Sequence, residues 1–459
     1  MILPSLFSNQ PGPPCSALFL TVLLGVQAVH AAIPLDLGSP DSIKSAAKQI
    51  AGGMVKYYTG YKPGDVPGNL PDPYYWWEAG AMFSALIDYW YYTGDDQYND
   101  ITTQAMLHQV GKENNYMPLN QTSTLGNDDQ AFWGMAAMSA AENKFPNPPD
   151  DKPQWLELAQ AVLHSQVPRW DDETCGGGLR WQIFSFNKGY NYKNSISNGC
   201  FINLAARLAL YTKNETYVEL AEKHWDWMTA IGLISPTSQV FDGSDVVKNC
   251  SELSHIQWTY NNGVLMGGAA ALYNFTKGAD IWEKRLNGLI DAAGIFFSKD
   301  PPDVMTEVAC EGNGKCNIDQ RSFKAYLSRW MAMTIKLAPY TRDRLLPKLQ
   351  ASATAAALQC SGPDNACGLR WTKGEAYDGS TGVGEQMAAL EIIQSNLIDL
   401  VAGPADNSTG ISRGNPSAGT GSDPTFELSD ITTGDRVGAG FLTSVVLIGI
   451  LGGAWWMVS

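Results

Sequence analysis

One helical plan recurs along this 459-residue chain and limits what it can fold into. "SNGCFINLAARLALYTKNETYVELAEKHWDWM" (197–228) and "NNGVLMGGAAALYNFTKGADIWEKRLNGLI" (261–290) share it. Each opens on Asn-Gly, runs through a small-residue helix to an aromatic, turns at Thr-Lys and starts a second helix. "EAGAMFSALIDYWYYTGDDQYNDITTQAML" (78–107) repeats the plan with Thr-Gly at the turn. Self-similarity at a period of about fifty residues signals a stacked or circular array of helix pairs. There are six such pairs. First members fall near 40–59, 96–110, 153–168, 215–231, 280–298 and 342–359, second members near 78–93, 128–143, 196–211, 262–275, 320–338 and 383–400. The second set is rich in Gly and Ala, as in "GVLMGGAAAL" and "GMAAMSAA", and small residues let helices crowd round an axis. The first set carries more Lys, Glu and Gln and reads as an outer ring. Strand-like alternation is scarce. The expected fold is all-α, an (α/α)6 toroid of six inner and six outer helices.

The irregular segments 60–77, 111–127, 169–195, 232–261, 299–319 and 360–382 each precede an inner helix, so all six should gather at one end of the toroid. Long loops collected on a rigid frame form binding sites. Two copies of one acidic triplet then acquire different meanings. Asp95-Asp96-Gln97 starts an outer helix after a short turn, where a carboxylate caps backbone N–H groups and suits the helix dipole. Asp128-Asp129-Gln130 starts an inner helix after a long loop and points into the expected cleft. Neighbours at a helix start can set their carboxylates about 5–6 Å apart, near the spacing of retaining glycosidases. Two full charges at ~5 Å repel by about 3 kcal/mol at an effective dielectric of ~20, on the order of two pKa units. Such a pair holds one proton, leaving one nucleophile and one acid.

Both ends read as addresses. "ALFLTVLLGV" (Ala17–Val26) is too short to span a bilayer and, with "VHA" before a cut, resembles a secretory signal over residues 1–31. A Gly/Pro/Ser/Thr-rich stalk (403–434) follows the catalytic unit (32–402), and 435–459 ends in an apolar run with no basic stop. That order matches a GPI-attachment signal with Gly434 as the retained residue, and places the mature protein on the outer face of the plasma membrane and in the cell wall. Cys15 leaves with the signal. Cys310–Cys316 and Cys360–Cys367 can each close a small loop, while Cys175, Cys200 and Cys250 compete for one more bridge. Sequons at Asn120, Asn214, Asn249, Asn274 and Asn407 suit the secretory route. The net charge of −15 argues against nucleic acid, and 15 Trp with 19 Tyr fit a neutral, hydroxyl-rich ligand. His30, His108, His164, His224 and His255 are scattered without ligand spacing, so no metal or organic cofactor is expected.

Several long motifs, "GNDDQAFWGMAAMSAAE", "CGGGLRWQIF", "YKNSISNG" and "QWTYNNGVLMGGAAALY", resemble the fungal mannan endo-1,6-α-mannosidase family, above all its GPI-anchored cell-wall members, over most of residues 33–440. The resemblance implies the (α/α)6 fold and a retaining mechanism with Asp128 as nucleophile and Asp129 as acid/base. It also implies a donor in α-mannan or the mannose core of a GPI anchor. Transfer of GPI mannoproteins to a wall glucan acceptor ranks ahead of plain mannan hydrolysis, and a non-catalytic wall lectin is the rival of another class. Where relatives are expected to read "SNGG" this chain has "SNGC". Cys200 is therefore the expected free thiol, and Cys175–Cys250 the third bridge. Around the pair, Trp77, Trp133 and Trp181 are candidates to stack on sugar rings. Asp242, Asp245, Asn194 and Asn198 are candidates to hydrogen-bond sugar hydroxyls, and Arg180 to pair with one of the acids.

Overall fold

The computed structural model describes residues 32–421 and 433–458; the signal segment 1–31 lies outside them. The outer helices are α1 (Pro40–Val55), α3 (Asn99–His108), α5 (Trp155–Gln166), α7 (Thr216–Ala230), α9 (Asp280–Ala292) and α11 (Arg342–Gln359). The inner helices are α2 (Trp76–Thr93), α4 (Asn127–Glu142), α6 (Ser195–Thr212), α8 (Thr259–Phe275), α10 (Phe323–Leu337) and α12 (Val383–Gln394). Each inner helix packs on the next and α12 closes on α2, which completes the toroid. The helices that begin later or end sooner than their spacing predicts do so for local reasons. Helix α3 starts only at Asn99, after an N-cap at Tyr98, so Asp95 does not cap it as expected; Asp95 instead closes a local turn through the Gln97 N–H (3.1 Å) and meets Lys48 (2.9 Å) and the Tyr89 hydroxyl (2.8 Å). Helix α9 gives way to a turn and a short hairpin, β4 (Phe297–Lys299) with β5 (Pro302–Met305). A three-stranded antiparallel sheet, β1 (Tyr192–Asn194), β2 (Gly243–Asp245) and β3 (Leu253–Ser254), joins two of the long segments.

Cross-links stiffen the loop end. Cys175–Cys250 ties segment 169–195 to segment 232–261, Cys310–Cys316 and Cys360–Cys367 close the small loops, and Cys200 is free and buried. All five sequon asparagines are exposed. The boundary expected at 402 needs correction. Residues 403–421 do not stand free as a stalk but run along the toroid. The Ala405 N–H donates to the Glu142 carbonyl (2.8 Å), the Asn407 N–H to that of Tyr211 (2.8 Å), and the Asn415 N–H to Gln160 Oε1 (2.7 Å). Helix α13 (Thr433–Val458) contains Gly434 and the apolar stretch Arg436–Met457, long enough to cross a membrane and nowhere buried.

The inner ring is tight because glycines face neighbouring backbones. A Cβ on Gly263 would lie 2.9 Å from Leu327 Cα, and one on Gly199 would lie 2.9 Å from a Val264 methyl. Deep in the ring, Arg329 of α10 pairs with Asp88 of α2 (2.7 Å) and Glu391 of α12 (2.6 Å). Arg207 of α6 pairs with Glu142 of α4 (2.6 Å) and lies over the Trp330 ring of α10. Burial pushes Glu391 up to about 8 despite Arg329, so these acids depend on their guanidinium partners. Removing one partner of a buried pair costs about 3–5 kcal/mol. Arg329→Ala is therefore expected to lose that much stability in a denaturant titration, whereas Arg413→Ala, whose pair with Asp150 is exposed, should change it by less than about 1 kcal/mol.

Candidate active site

Helix α4 begins at the loop end of the ring, and its first turn carries the two acids into a cavity of about 240 Å³. Gly126 is its N-cap, and the Gly126 N–H donates to Asp129 Oδ2 (2.7 Å). The cap role is thus real for one oxygen of one acid, and it fixes how that carboxylate is aimed. Asp128 is buried and its Oδ1 has no hydrogen-bond partner; the Ser197 hydroxyl of α6 lies beside it. A Cβ at residue 126 would fall 2.4 Å from Asp128 Oδ1 and 3.1 Å from Asp129 Oδ2, so glycine leaves the room both acids need. Behind the turn, the buried Arg169 donates to Asn127 Oδ1 (2.8 Å) and Gln130 Oε1 (2.7 Å) and holds the start of α4.

Burial raises both acids. Asp128 goes well above the carboxylate range through burial and then the charge of Asp129. Asp129 reaches about 7 through burial, with the Asp319 charge adding and the Gly126 N–H opposing. Near neutral pH the pair therefore shares a proton, and burial favours its residence on the deeper Asp128.

The walls are aromatic and acidic. The Trp77 ring packs on Phe132 (4.7 Å between centroids), and its indole N–H donates to Asp319 Oδ1 (3.0 Å). Tyr260 stacks on Phe323 at 3.8 Å. Asp242 accepts from the Tyr192 hydroxyl (2.6 Å) and the Trp258 indole (2.9 Å), which orients both rings. Trp181 is held between the first turn of α4 and β1, its carbonyl accepting from Asn127 (2.8 Å) and its N–H donating to the Tyr192 carbonyl (2.6 Å). Among the described residues, no Lys, Arg or His lines the cavity.

Of the residues singled out from sequence, Asp128, Asp129, Trp77, Trp181, Asn194 and Asp242 lie on this wall. Asn194 also caps α6, accepting from the Ser197 N–H (3.1 Å). Four others do not. Trp133 is fully buried between the Trp76 and Tyr116 rings, because its place on α4 faces the α2 interface. Arg180 pairs with Asp171 (2.8 Å) and covers the Tyr190 ring, so it reaches neither catalytic-pair carboxylate. Asn198 is buried one turn down α6, where it holds both backbone groups of Leu179. Asp245 is exposed and caps a turn through the Val247 N–H (2.8 Å). Asp319, Tyr192, Trp258 and Tyr260 were missed. Trp258 and Asp319 close their irregular segments just as Trp77 does, so position alone signalled them. Segment 360–382 contributes nothing to the wall. It lies behind, where Leu369 packs near Trp258 and the Cys310–Cys316 bridge.

The profile of glycosyl hydrolase family 76 matches residues 42–408. The chain is 47% identical over 433 residues to the mannan endo-1,6-alpha-mannosidase DCW1 of Saccharomyces cerevisiae, covering 93% of this chain and 95% of that one. It superposes on the crystal structure of Dfg5 from Chaetomium thermophilum in complex with glucosamine with a TM-score of 0.81 at 47% identity, over 85% of this chain and 98% of that one. An inactive variant of an α-1,6-mannanase of Salegentibacter sp. HEL1_6, bound to α-1,6-mannotriose, shares the fold at 18% identity, with a TM-score of 0.62 over 78% of this chain and 99% of that one. A helical toroid with paired carboxylates in an aromatic cleft defines a glycoside hydrolase. The chain belongs to glycosyl hydrolase family 76, in the fungal mannan endo-1,6-α-mannosidase branch, which removes the lectin alternative.

Because active-site displacements of about 1 Å cost on the order of 100-fold in rate, Gly126→Ala is expected to lower kcat by about that factor. A thermal melt should move by only a few degrees, since the Gly126 backbone is extended and accepts Ala.

Proposed function

We propose that this chain is an endo-acting, retaining enzyme that cleaves α-1,6-mannosidic linkages of mannan. The observation that carries the proposal is the pair at the first turn of α4, a buried and a half-buried carboxyl side by side on the wall of an aromatic cavity, both raised by burial so that they share a proton. The curated relative that matches 93% of the chain is named for that linkage. Asp128 attacks the anomeric carbon while the glycosidic C–O bond breaks, and Asp129 delivers its proton to the departing oxygen. Asp129 then takes a proton from the incoming hydroxyl, which attacks the mannosyl–Asp128 ester. For this division of labour, the proton that burial places on Asp128 passes to Asp129 when substrate binds. The substrate's ring displaces water and leaves Asp128 against a developing positive charge, which favours its ionised form.

Water as the incoming hydroxyl gives hydrolysis, the reading best supported by the relatives' names. A wall glucan hydroxyl gives transfer, with the mannose core of a GPI anchor as donor. That second reading draws on the glucosamine complex of the 47%-identical Dfg5, because binding of an amino sugar fits a donor beyond plain mannan. An amino-terminal secretory signal, a GPI lipid attached near Gly434 and residence at the plasma membrane and wall complete the proposal, supported by the unburied apolar helix α13.

Asp128→Asn and Asp129→Asn should each lose about 100-fold or more on an α-1,6-mannan oligosaccharide. With azide and an aryl α-mannoside, Asp129→Asn should yield the α-mannosyl azide and Asp128→Asn the β-anomer, read by NMR. The opposite anomers would exchange the two roles. Labelled glucan oligosaccharides that remain free while mannan is cut would remove the transfer reading.

A further inference from the structure

The cavity holds a carboxylate that the reaction above does not use. Asp319 opens the short Asp319–Ser322 turn that leads into α10, and it faces the same space as the pair. One of its oxygens accepts from the Trp77 indole (3.0 Å), and that indole is itself wedged against Phe132 and Tyr326. Among the described residues, no Lys, Arg or His lines the cavity beside it. The nearest guanidinium on its turn, Arg321, is bound to Glu385 of α12 (3.1 Å). An acid so held is a fixed charge and not a swinging one.

We propose that Asp319 is a positioning residue for proton transfer in this cleft, a carboxylate clamped by Trp77 whose charge holds the leaving-group proton on Asp129. The proposal rests on Asp129 being the acid. Asp128 shares its helix and its proton. Glu78 on α2 caps its own helix through the Tyr75 N–H (3.0 Å) and is pushed by burial to about 8, so it is neutral near pH 7. Asp242, ahead of α8, already accepts from Tyr192 and Trp258. The Tyr260 hydroxyl and the Cys200 thiol are both raised, chiefly by burial, and stay protonated. Arg169 lies behind the first turn and is taken by Asn127 and Gln130. Asp319 remains as the outside charge that acts on Asp129. Burial raises it to about 6, below the value of about 7 for Asp129, so it carries its charge on the alkaline limb, where Asp129 would otherwise lose its proton. Its effect also opposes the preference of the proton for Asp128 before substrate binds.

Removing a negative neighbour lowers the pKa of an acid, so the alkaline limb of the pH profile should move to lower pH. Asp319→Asn keeps an oxygen for the Trp77 N–H and removes only the charge. Its kcat/KM profile on an α-1,6-mannan oligosaccharide should lose about half a pH unit or more on the alkaline limb, and so about 3-fold or more in rate above pH 7. A dinitrophenyl α-mannoside, whose leaving group departs without a proton, should be cleaved within about 2-fold of the parental rate. Asp319→Glu, which restores the charge, should recover part of the limb. An unmoved alkaline limb in Asp319→Asn, or an equal loss on both substrates, overturns the proposal. Asp129→Asn in the same two assays tests the underlying reading separately. If that variant cleaves the oligosaccharide normally, the assignment of the acid fails whatever Asp319 does.

Discussion

The N-termini of the inner helices all point toward one end of the ring, and that constraint organises the molecule. Each terminus exposes N–H groups and the positive end of a helix dipole, and each must be satisfied away from bulk water. The chain meets this with acidic and amide side chains. Glu78 caps α2, Asp129 caps α4, Asn194 caps α6, and Glu307, arriving from a different segment, accepts from the Thr259 N–H and hydroxyl at the start of α8. A toroid that gathers helix starts therefore gathers carboxylates. Burial raises them, as with Glu78 and Glu307 at about 8, while the dipoles and N–H groups limit the rise. Asp129 differs from the structural caps in being only half-buried, with the cavity beside it.

The opposite end of the ring faces the reverse problem, since inner-helix C-termini present carbonyls. There the strap 403–421 supplies donors, as in Ala405 to Glu142 and Asn407 to Tyr211. Its Gly, Ser, Pro and Asn content reads as linker, because the composition of an exposed tether and of a segment that follows a groove by backbone hydrogen bonds is the same. The unit that folds is longer than its hydrophobic periodicity, and α4, α5 and α6 are bound by residues that carry no helical signal.

Helix number, order and ring assignment were legible because Gly/Ala-rich and charge-rich helices alternate with a fixed turn chemistry. The site was legible where position decided the outcome. Trp77, Trp181 and Asp242 end or interrupt long segments and reach the cavity. Trp133 and Asn198 lie within helices, where a rotation of about 100° per residue separates an inward face from a packing face. Composition does not resolve that angle in helices that are apolar all round. Arg180 and Asp245 sit in loops, but each found a nearer partner, in Asp171 and in a local turn. Asp319 was hidden because a lone Asp before "QRS" looks like any turn residue, and its worth comes from Trp77, 242 positions away.

The two identical triplets show how little of this chemistry is local. Asp95 accepts a backbone N–H from Gln97, as any Asp ahead of a helix can, and then meets Lys48 and Tyr89 at the solvent edge of the outer ring. The Lys48 ammonium, the Tyr89 hydroxyl and the Gln97 N–H hold its pKa below the ordinary value. Asp128 and Asp129 belong to the same triplet, yet no Lys, Arg or His among the described residues lines their cavity, and burial raises both. Outer and inner helices run in opposite directions, so a helix start in one ring lies at the far end from a helix start in the other. Whether an acidic triplet becomes a surface turn or a proton-sharing pair is thus decided by which ring its helix joins, a property of the fold as a whole and not of the triplet.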